Sequence, residues 1–352
     1  MIAAMQIAIP HDHQDLVRKL ACFSKLAGHD VRVFTQSPFD TIELAEQLAG
    51  AQALVLIRER TPVTRALIER LPRLRLVSQL ARTTGHIDIA ACTGHGIAVA
   101  TGNSKSPVSP AEHTFALILA AARSIPLEAG RMQRGEEPTT LGFTLRGKTL
   151  ALLGFGTIGE LVAQMGRGFA MRVVTHGREG SRARASLAGV EFIEDRARFF
   201  READVLSLHL RLTPDTRGSV TAADLALMKP TALLANTARA ELIAPNALVE
   251  ALEAGRPGYA GLDVFEQEPV PTDHPLLQMP NVVCTPHYGW ATHETYEQYF
   301  GEAFDNVLAF DGGHPANIVN PEALAAWAEA LAARADALAA RAEAPGAPEQ
   351  RS

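Results

Sequence analysis

Three short segments in the last third of the chain carry side chains that could bind an anion and move a proton beside it. Asn236-Thr237-Ala238-Arg239-Ala240 offers a guanidinium, and Gly261-Leu262-Asp263-Val264-Phe265-Glu266-Gln267-Glu268-Pro269 offers carboxylates. Thr285-Pro286-His287-Tyr288-Gly289-Trp290 offers an imidazole. An Arg, a carboxylate and a His are the parts needed to bind an α-keto acid and protonate its carbonyl oxygen. Each alone reads as a surface charge or a satisfied polar group. Together, in this order after a glycine-rich loop, they read as a site.

That loop is Gly154-Phe155-Gly156-Thr157-Ile158-Gly159, preceded by the apolar run Thr149 to Leu153 and followed by Leu161, Val162 and Met165 in a helical pattern. Gly154 allows the tight turn, Gly156 lets the backbone approach a pyrophosphate, Gly159 permits close helix packing, and the helix N-terminus stabilises the anion. The cofactor expected is NAD(H) or NADP(H). The next strand ends at His176, where a fold of this type places an acid for the ribose hydroxyls. Gly177-Arg178-Glu179-Gly180-Ser181-Arg182 follows instead. Arg178 and Arg182 suit a 2′-phosphate, Glu179 suits a ribose, and solvated loop charges account for them equally well. The balance leans to NADP(H).

The elements that must position these residues follow from short β-branched runs separated by helical stretches. Residues 7–9, 31–34, 54–57, 76–78 and 98–100 predict a first set of strands. Residues 149–153, 172–176, 205–210, 232–236, 259–264 and 282–285 predict a second set of six, the count of a doubly wound dinucleotide fold. Such strands imply parallel sheets covered on both faces. Residues 102–110 read as a linking loop. Ser109 with Glu112 predicts a capping box and Pro110 the first helical position of an apolar helix through Phe115, buried against its own domain or another subunit. Toward the end, Ala-Leu-Ala-Ala-x-Ala recurs every seven residues from Ala323, and a disordered tail is expected beyond Ala344.

The 352 residues divide into about two domains at roughly 150 residues each. A 47% hydrophobic, 20% charged composition is that of an ordinary globular protein and rules out disorder as the main state. A net charge of −6 lacks the basic footprint of a nucleic-acid binder. Cys22, Cys92 and Cys284 are too few and too far apart for a disulfide framework or a zinc site and read as buried thiols. His11-Asp12-His13 reads as a polar loop, so no metal is expected. No segment resembles a signal peptide or a membrane span, and a cytoplasmic location is expected.

With these motifs the sequence closely resembles the D-isomer-specific 2-hydroxyacid dehydrogenase family from about residue 5 to about 318. Leu212 to Gly218, Met228-Lys229-Pro230 and Asn281 to His287 add to the resemblance. It implies a Rossmann domain (103–287) inserted into a flavodoxin-like α/β substrate domain (1–102 with 288–320), leaving 321–352 as an Ala-rich tail. It also implies catalysis in the cleft between domains, and a homodimer through the cofactor domain. Carried over, Arg239 binds the carboxylate, His287 is the acid/base and Glu268 pairs with it. Asp263 would hold the nicotinamide carboxamide, while Thr157, Ile158, Thr237 and Ala238 line the cofactor. Arg58 becomes a contact for an anionic group, and the backbone around Arg82, Thr83 and Thr84 receives the carboxylate. Arg82, Arg211, Ala240 and Trp290 depart from the usual family residues; the added positive charge favours a phosphorylated or dicarboxylic acid, and Trp290 narrows the pocket.

The expected activity is NAD(P)-dependent interconversion of a D-2-hydroxy acid and its 2-keto acid. A nucleotide-sensing binding protein of the corepressor type, on the same scaffold, is the alternative. Arg239, Glu268 and His287 favour turnover over sensing. Oxidation of formate or phosphite fits less well, because the formate branch has Gln where this chain has Glu268.

Overall fold

The structure is a computed structural model that describes residues 4–325. The chain opens with strands β1 (Gln6–Ile9), β2 (Asp30–Val33), β3 (Ala53–Leu56), β4 (Leu76–Gln79) and β5 (Ala98–Thr101), with helices α1 (Thr41–Gln47), α2 (Arg65–Ile68) and α3 (Ile89–Gly94) between them. Helices α4 (Val108–Ala122) and α5 (Ile125–Gln133) follow. Then come β6 (Thr149–Leu153), α6 (Thr157–Gly168), β7 (Arg172–His176), α7 (Glu179–Leu187), β8 (Glu191–Phe192), α8 (Arg196–Glu202) and β9 (Val205–Leu208). The series ends with α9 (Ala222–Ala226), β10 (Leu233–Asn236), α10 (Ala247–Glu253), β11 (Tyr259–Leu262), α11 (Pro275–Gln278), β12 (Val282–Cys284) and α12 (His293–Asp311).

The chain divides into two compact units. One combines Met1–Lys105 with His293–Ser352, of which 4–105 and 293–325 are described; the other is Ser106–Thr292. The first unit holds a five-stranded parallel sheet in the order β2-β1-β3-β4-β5, the flavodoxin-like order. Its core gathers Leu54, Leu56, Val77 and Val99 with Leu44 of α1, Leu67 of α2 and Cys92 of α3. Asp40, Thr64 and Asp88 cap these three helices through their side chains. The chain returns after α12 to close the edge beside β5. There Asn320 accepts from Val99 N–H at 2.7 Å and donates to Ile97 O at 2.9 Å and Thr93 Oγ1 at 3.0 Å.

The second unit is a seven-stranded parallel sheet in the order β12-β11-β10-β9-β6-β7-β8. Alternate residues of one strand feed opposite faces: Leu150 and Leu152 of β6 pack with Phe115 and Val162, and Ala151 and Leu153 with Phe199, Phe200 and Leu225. A seventh strand joins the six expected from sequence. β8 pairs only Glu191 and Phe192 with β7, and two residues are too few to show an alternating pattern. The capping box expected at Ser109 does not form, since α4 begins at Val108 and the Ser109 hydroxyl donates to Gly289 O at 2.6 Å. Phe115, Leu117 and Ile118 of α4 are buried inside their own unit, so that helix needs no second subunit to cover it.

Cys92 is buried, whereas Cys22 and Cys284 are only half-buried, which corrects the expectation for those two; all three are free thiols. Burial pushes them up to about 12, 12 and 11. His11 is fully buried with Nδ1 2.8 Å from the Thr61 hydroxyl, and burial pushes it down to about 4. Among the described residues no helix is long and apolar enough to cross a membrane, and no group of three His, Cys, Asp or Glu could hold a metal ion. The heptad segment is described only as far as Ala325, and its remainder with the expected tail lies outside the described residues.

Asn320→Ala removes the side chain that serves Val99 N–H and Ile97 C=O, leaving buried backbone groups unpaired. Urea unfolding should show a loss of about 2–4 kcal/mol. A loss below about 0.5 kcal/mol would mean that the return segment is not held by this side chain.

Candidate active site

Strand register explains why segments far apart in sequence meet. Leu153 pairs with His176 and with Leu208, Leu208 with Asn236, Asn236 with Leu262, and Leu262 with Cys284. These residues form one row across the sheet, and the next residue on each chain lies just beyond its carboxyl edge. Gly154, His209, Thr237, Asp263 and Thr285 therefore begin neighbouring loops. Open parallel sheets hold ligands at this edge, where strand order reverses, here between β6 and β9.

The glycine loop meets the demands of a dinucleotide phosphate. Gly154 has φ +93, and a Cβ there would lie 2.8 Å from Leu210 Cδ2 and 2.9 Å from His209 O. A Cβ at Gly156 would meet nothing within 4 Å, so the backbone there is open to a ligand. α6 starts without a side-chain cap, leaving the N–H groups of Thr157, Ile158 and Gly159 for an anion. Phe155 is held from both sides, its N–H donating to Ser181 Oγ at 3.2 Å and its carbonyl accepting from Arg184 Nε at 2.9 Å. A pyrophosphate fits this loop.

Beyond β7 the expected basic pair separates into different roles. Arg182 is spent on Glu194 at 2.6 Å and Glu179 at 3.3 Å, with its guanidinium 4.8 Å from the Phe192 ring centroid. That engagement holds both Arg182 and Glu179 in ion pairs within their own unit. Arg178 is exposed at the start of α7. His176 turns back to the sheet, its Nδ1 2.8 Å from Ile193 O.

The loop after β10 is shaped by Asn236, which is buried and bonds within its own turn. Its Oδ1 accepts from Ala238 N–H at 3.0 Å and its Nδ2 donates to Arg239 O at 2.9 Å. Thr237 is held by Thr114 of α4, hydroxyl to hydroxyl at 2.6 Å. Arg239 follows, half-buried, with Nη1 donating to Ala238 O at 2.7 Å.

After β12, His287 sits in a bend with φ +52, its N–H donating to Thr285 O at 2.9 Å across Pro286. Its Nδ1 is 2.7 Å from Glu268 Oε2, and Glu268 Oε1 accepts from Phe265 N–H at 3.0 Å. The carboxylate thus holds both the ring and its own loop.

Asp263, the residue that the resemblance assigns to the nicotinamide carboxamide, is engaged within its own unit. Its carboxylate belongs to a residue only 2% exposed and takes four donors of the same unit. These are Thr285 Oγ1 at 2.6 Å, Tyr288 N–H and Gly289 N–H at 3.0 Å each, and His113 Nε2 at 3.3 Å. The hydrogen bonds from His113, Thr285 and Gly289 outweigh the opposing effect of burial and hold the carboxyl below its ordinary range.

Sequence reasoning missed His113 and His209 and gave Ser109 a different role. Ser109 and His113 are four residues apart on α4 and share a face, a spacing visible once the helix is recognised. His209 is driven down to about 4 by burial, with Nε2 2.9 Å from the Ser207 hydroxyl, and its side chain packs under Gly159. Its only signal was its place directly after a buried strand.

In the other unit, Arg58 follows β3 by two residues and has φ +52, with Nε 3.4 Å from Glu59. Arg82, Thr83 and Thr84 follow the neighbouring strand β4; Arg82 donates to Asn103 Oδ1 at 3.0 Å and Thr84 O accepts from Ile87 N–H. These four residues lie on the carboxyl side of adjacent strands of the first sheet.

The NAD binding domain of the D-isomer specific 2-hydroxyacid dehydrogenases matches residues 115–289. A glyoxylate reductase from Aeropyrum pernix is 40% identical over 313 residues, 84% of this chain and 91% of that protein. A D-3-phosphoglycerate dehydrogenase from Methanocaldococcus jannaschii is 40% identical over 254 residues, 72% of this chain; the chain spans about half of that longer protein, 48% of it. Among solved structures, an oxidoreductase from Ralstonia solanacearum aligns with a TM-score of 0.87 at 46% identity, covering 91% of this chain and 98% of that one. With its glycine loop and two parallel sheets, the chain belongs to the D-isomer specific 2-hydroxyacid dehydrogenase family and is an NAD-dependent dehydrogenase of that family.

Proposed function

We propose that the protein reduces a small anionic 2-keto acid to the D-2-hydroxy acid, and runs the reverse oxidation, with His287 as acid/base and Arg239 as anion contact. The observation that carries this reading is the 2.7 Å pair of His287 and Glu268, on the same sheet edge as Arg239 and the glycine loop. A nucleotide sensor needs the loop but not this pair.

Gly154, Gly156, Thr157, Ile158 and Gly159 would hold the pyrophosphate, and Thr237 and Ala238 would line the nicotinamide. The nicotinamide, when bound, supplies the hydride. With Nδ1–H directed to Glu268, the ring presents Nε2 as the nitrogen that exchanges a proton with substrate. As hydride adds to the keto carbon, the carbonyl π electrons move onto oxygen and the proton from His287 Nε2 completes the hydroxyl. The neutral ring then recovers its proton from water. Arg239 holds the carboxylate and stabilises the charge that grows on oxygen. Arg58 and the backbone of Arg82, Thr83 and Thr84 are the contacts assigned to the substrate's anionic groups. Glyoxylate and a phosphorylated hydroxy acid head the substrates to test.

NADP(H) is the preferred cofactor on this reading, because β7 ends without a carboxylate and Arg178 stands exposed beside that end. A homodimer through the cofactor domain is supported by α5, which buries none of its residues, and by Met132 and Leu141, 82% and 95% exposed.

His287→Ala should lower kcat about 10²- to 10⁴-fold in a keto-acid reduction assay, and Arg239→Ala should lower kcat and raise KM together. Near-normal turnover in His287→Ala would contradict its role; cofactor binding without turnover of any 2-keto acid would favour a sensor. Arg178→Ala should raise KM for NADPH about tenfold and leave KM for NADH unchanged, and a strong NADH preference in the unaltered protein would refute the cofactor assignment. Gly156→Ala should keep the melting temperature, since the methyl enters open space, yet weaken NAD(P)H binding at least about tenfold by fluorescence titration. Unchanged affinity would place the pyrophosphate elsewhere.

A further inference from the structure

α4 carries a histidine that the proposed chemistry does not use. His113 lies one turn beyond Ser109 with its side chain 14% exposed, and Nε2 is 3.0 Å from the Thr285 hydroxyl and 3.3 Å from Asp263 Oδ1. Proton counting fixes the state of that nitrogen. The Thr285 hydroxyl has one hydrogen and directs it to Asp263 at 2.6 Å, so the 3.0 Å contact requires the proton on Nε2 of His113. His113 therefore donates into a hydroxyl and carboxylate pair that is itself holding the loop.

The turn so held is one that a residue with a Cβ does not adopt readily. His287 has φ +52, and backbone of that hand persists where the surroundings over-determine it. Asp263 takes the N–H groups of Tyr288 and Gly289, and Ser109 donates to Gly289 O. The His113 ring also meets Tyr288 edge-on, centroids 5.0 Å apart. A Cβ at Gly289 would lie 2.7 Å from His113 Cδ2 and 3.0 Å from Asp263 Oδ2, so glycine is what lets the turn close onto the ring. Thr285 before His287, and Tyr288 and Gly289 after it, are thus tied to two side chains of one helix face.

We propose that His113 is a positioning residue for the proton-transferring His287, acting through Thr285, Asp263 and its packing on Tyr288 and Gly289. The proposal rests on the acid/base reading of His287 given above. Losing such a residue shifts the proton donor and leaves ligand binding intact. A displacement of about 1 Å suffices for roughly a 100-fold loss of rate.

The test compares His113→Ala, His113→Gln, His113→Leu and His287→Ala in keto-acid reduction, with NAD(P)H affinity by fluorescence and thermal unfolding measured alongside. His113→Ala and His113→Leu should lose roughly 10- to 100-fold in kcat, while KM and cofactor Kd stay within about threefold. His113→Gln, whose amide N–H reaches the same oxygens, should recover most of kcat, a rescue that lost packing alone does not allow. Gly289→Ala should be impaired in the unaltered protein and partly restored by His113→Ala, because the ring its methyl strikes is gone. If His113→Ala fails to fold, the Gln and Leu variants carry the same comparison. The proposal is overturned if kcat in the variants that fold stays within about twofold of the unaltered protein, if the loss lies in KM and Kd, or if Gln behaves as Leu does. Normal turnover in His287→Ala would sink the acid/base reading instead, whereas an inactive His287→Ala beside a normal His113→Leu would sink the positioning proposal alone.

Discussion

A carboxylate removed from water needs donors, and Asp263 finds all four of its donors in the two segments that flank it, α4 and the loop after β12. An unpaired ion at that depth would cost several kcal/mol, so the loop and the helix are obliged to keep their places around it. The position is available because β11 ends there, one residue past Leu262, with β10 and β12 in register on either side. Secondary structure sets the address, Asp263 sets the loop, and the loop sets the imidazole. The left-handed backbone of His287 costs about 1–2 kcal/mol, and the anchored loop around it offsets that cost.

The second half of the site depends on a different constraint, the close approach of backbone to ligand. Gly154 must be glycine because its turn presses on His209 O and Leu210, whereas Gly156 faces open space. One glycine serves the fold and the other leaves its backbone uncovered. Arg184 and Ser181 of α7 hold Phe155 between them, so the helix that follows Arg178 also steadies the glycine loop.

Much of this was legible in the sequence, for reasons that can be named. Buried parallel strands are nearly continuous apolar runs, so β6 and β7 are read to the residue, while β9, β10 and β11 shorten by one or two residues at their ends where loops take over. The glycine loop is legible because each glycine answers a separate steric demand. β8 was not, because a two-residue edge strand has no period. Ser109 illustrates the limit of local rules: its spacing to Glu112 is that of a cap, but Gly289, 180 residues away in sequence, takes its hydroxyl. The same limit governs Arg182, whose partners Glu194 and Phe192 arrive only when β8 folds beside β7. Asp263 could be marked as important from its motif, but its partners lie on two segments remote from it in sequence, and only the fold shows that its carboxylate faces the loop.

Asp263 holds the loop that carries His287, and its loss should be felt first through that loop. Single-turnover reduction by Asp263→Asn, with cofactor Kd measured on the same sample, tests this most directly. The rate of hydride and proton transfer should fall by about 100-fold with Kd changed by less than about threefold. A rate near that of the unaltered protein, or a loss carried mainly by Kd as a direct hold on the nicotinamide would give, would contradict it.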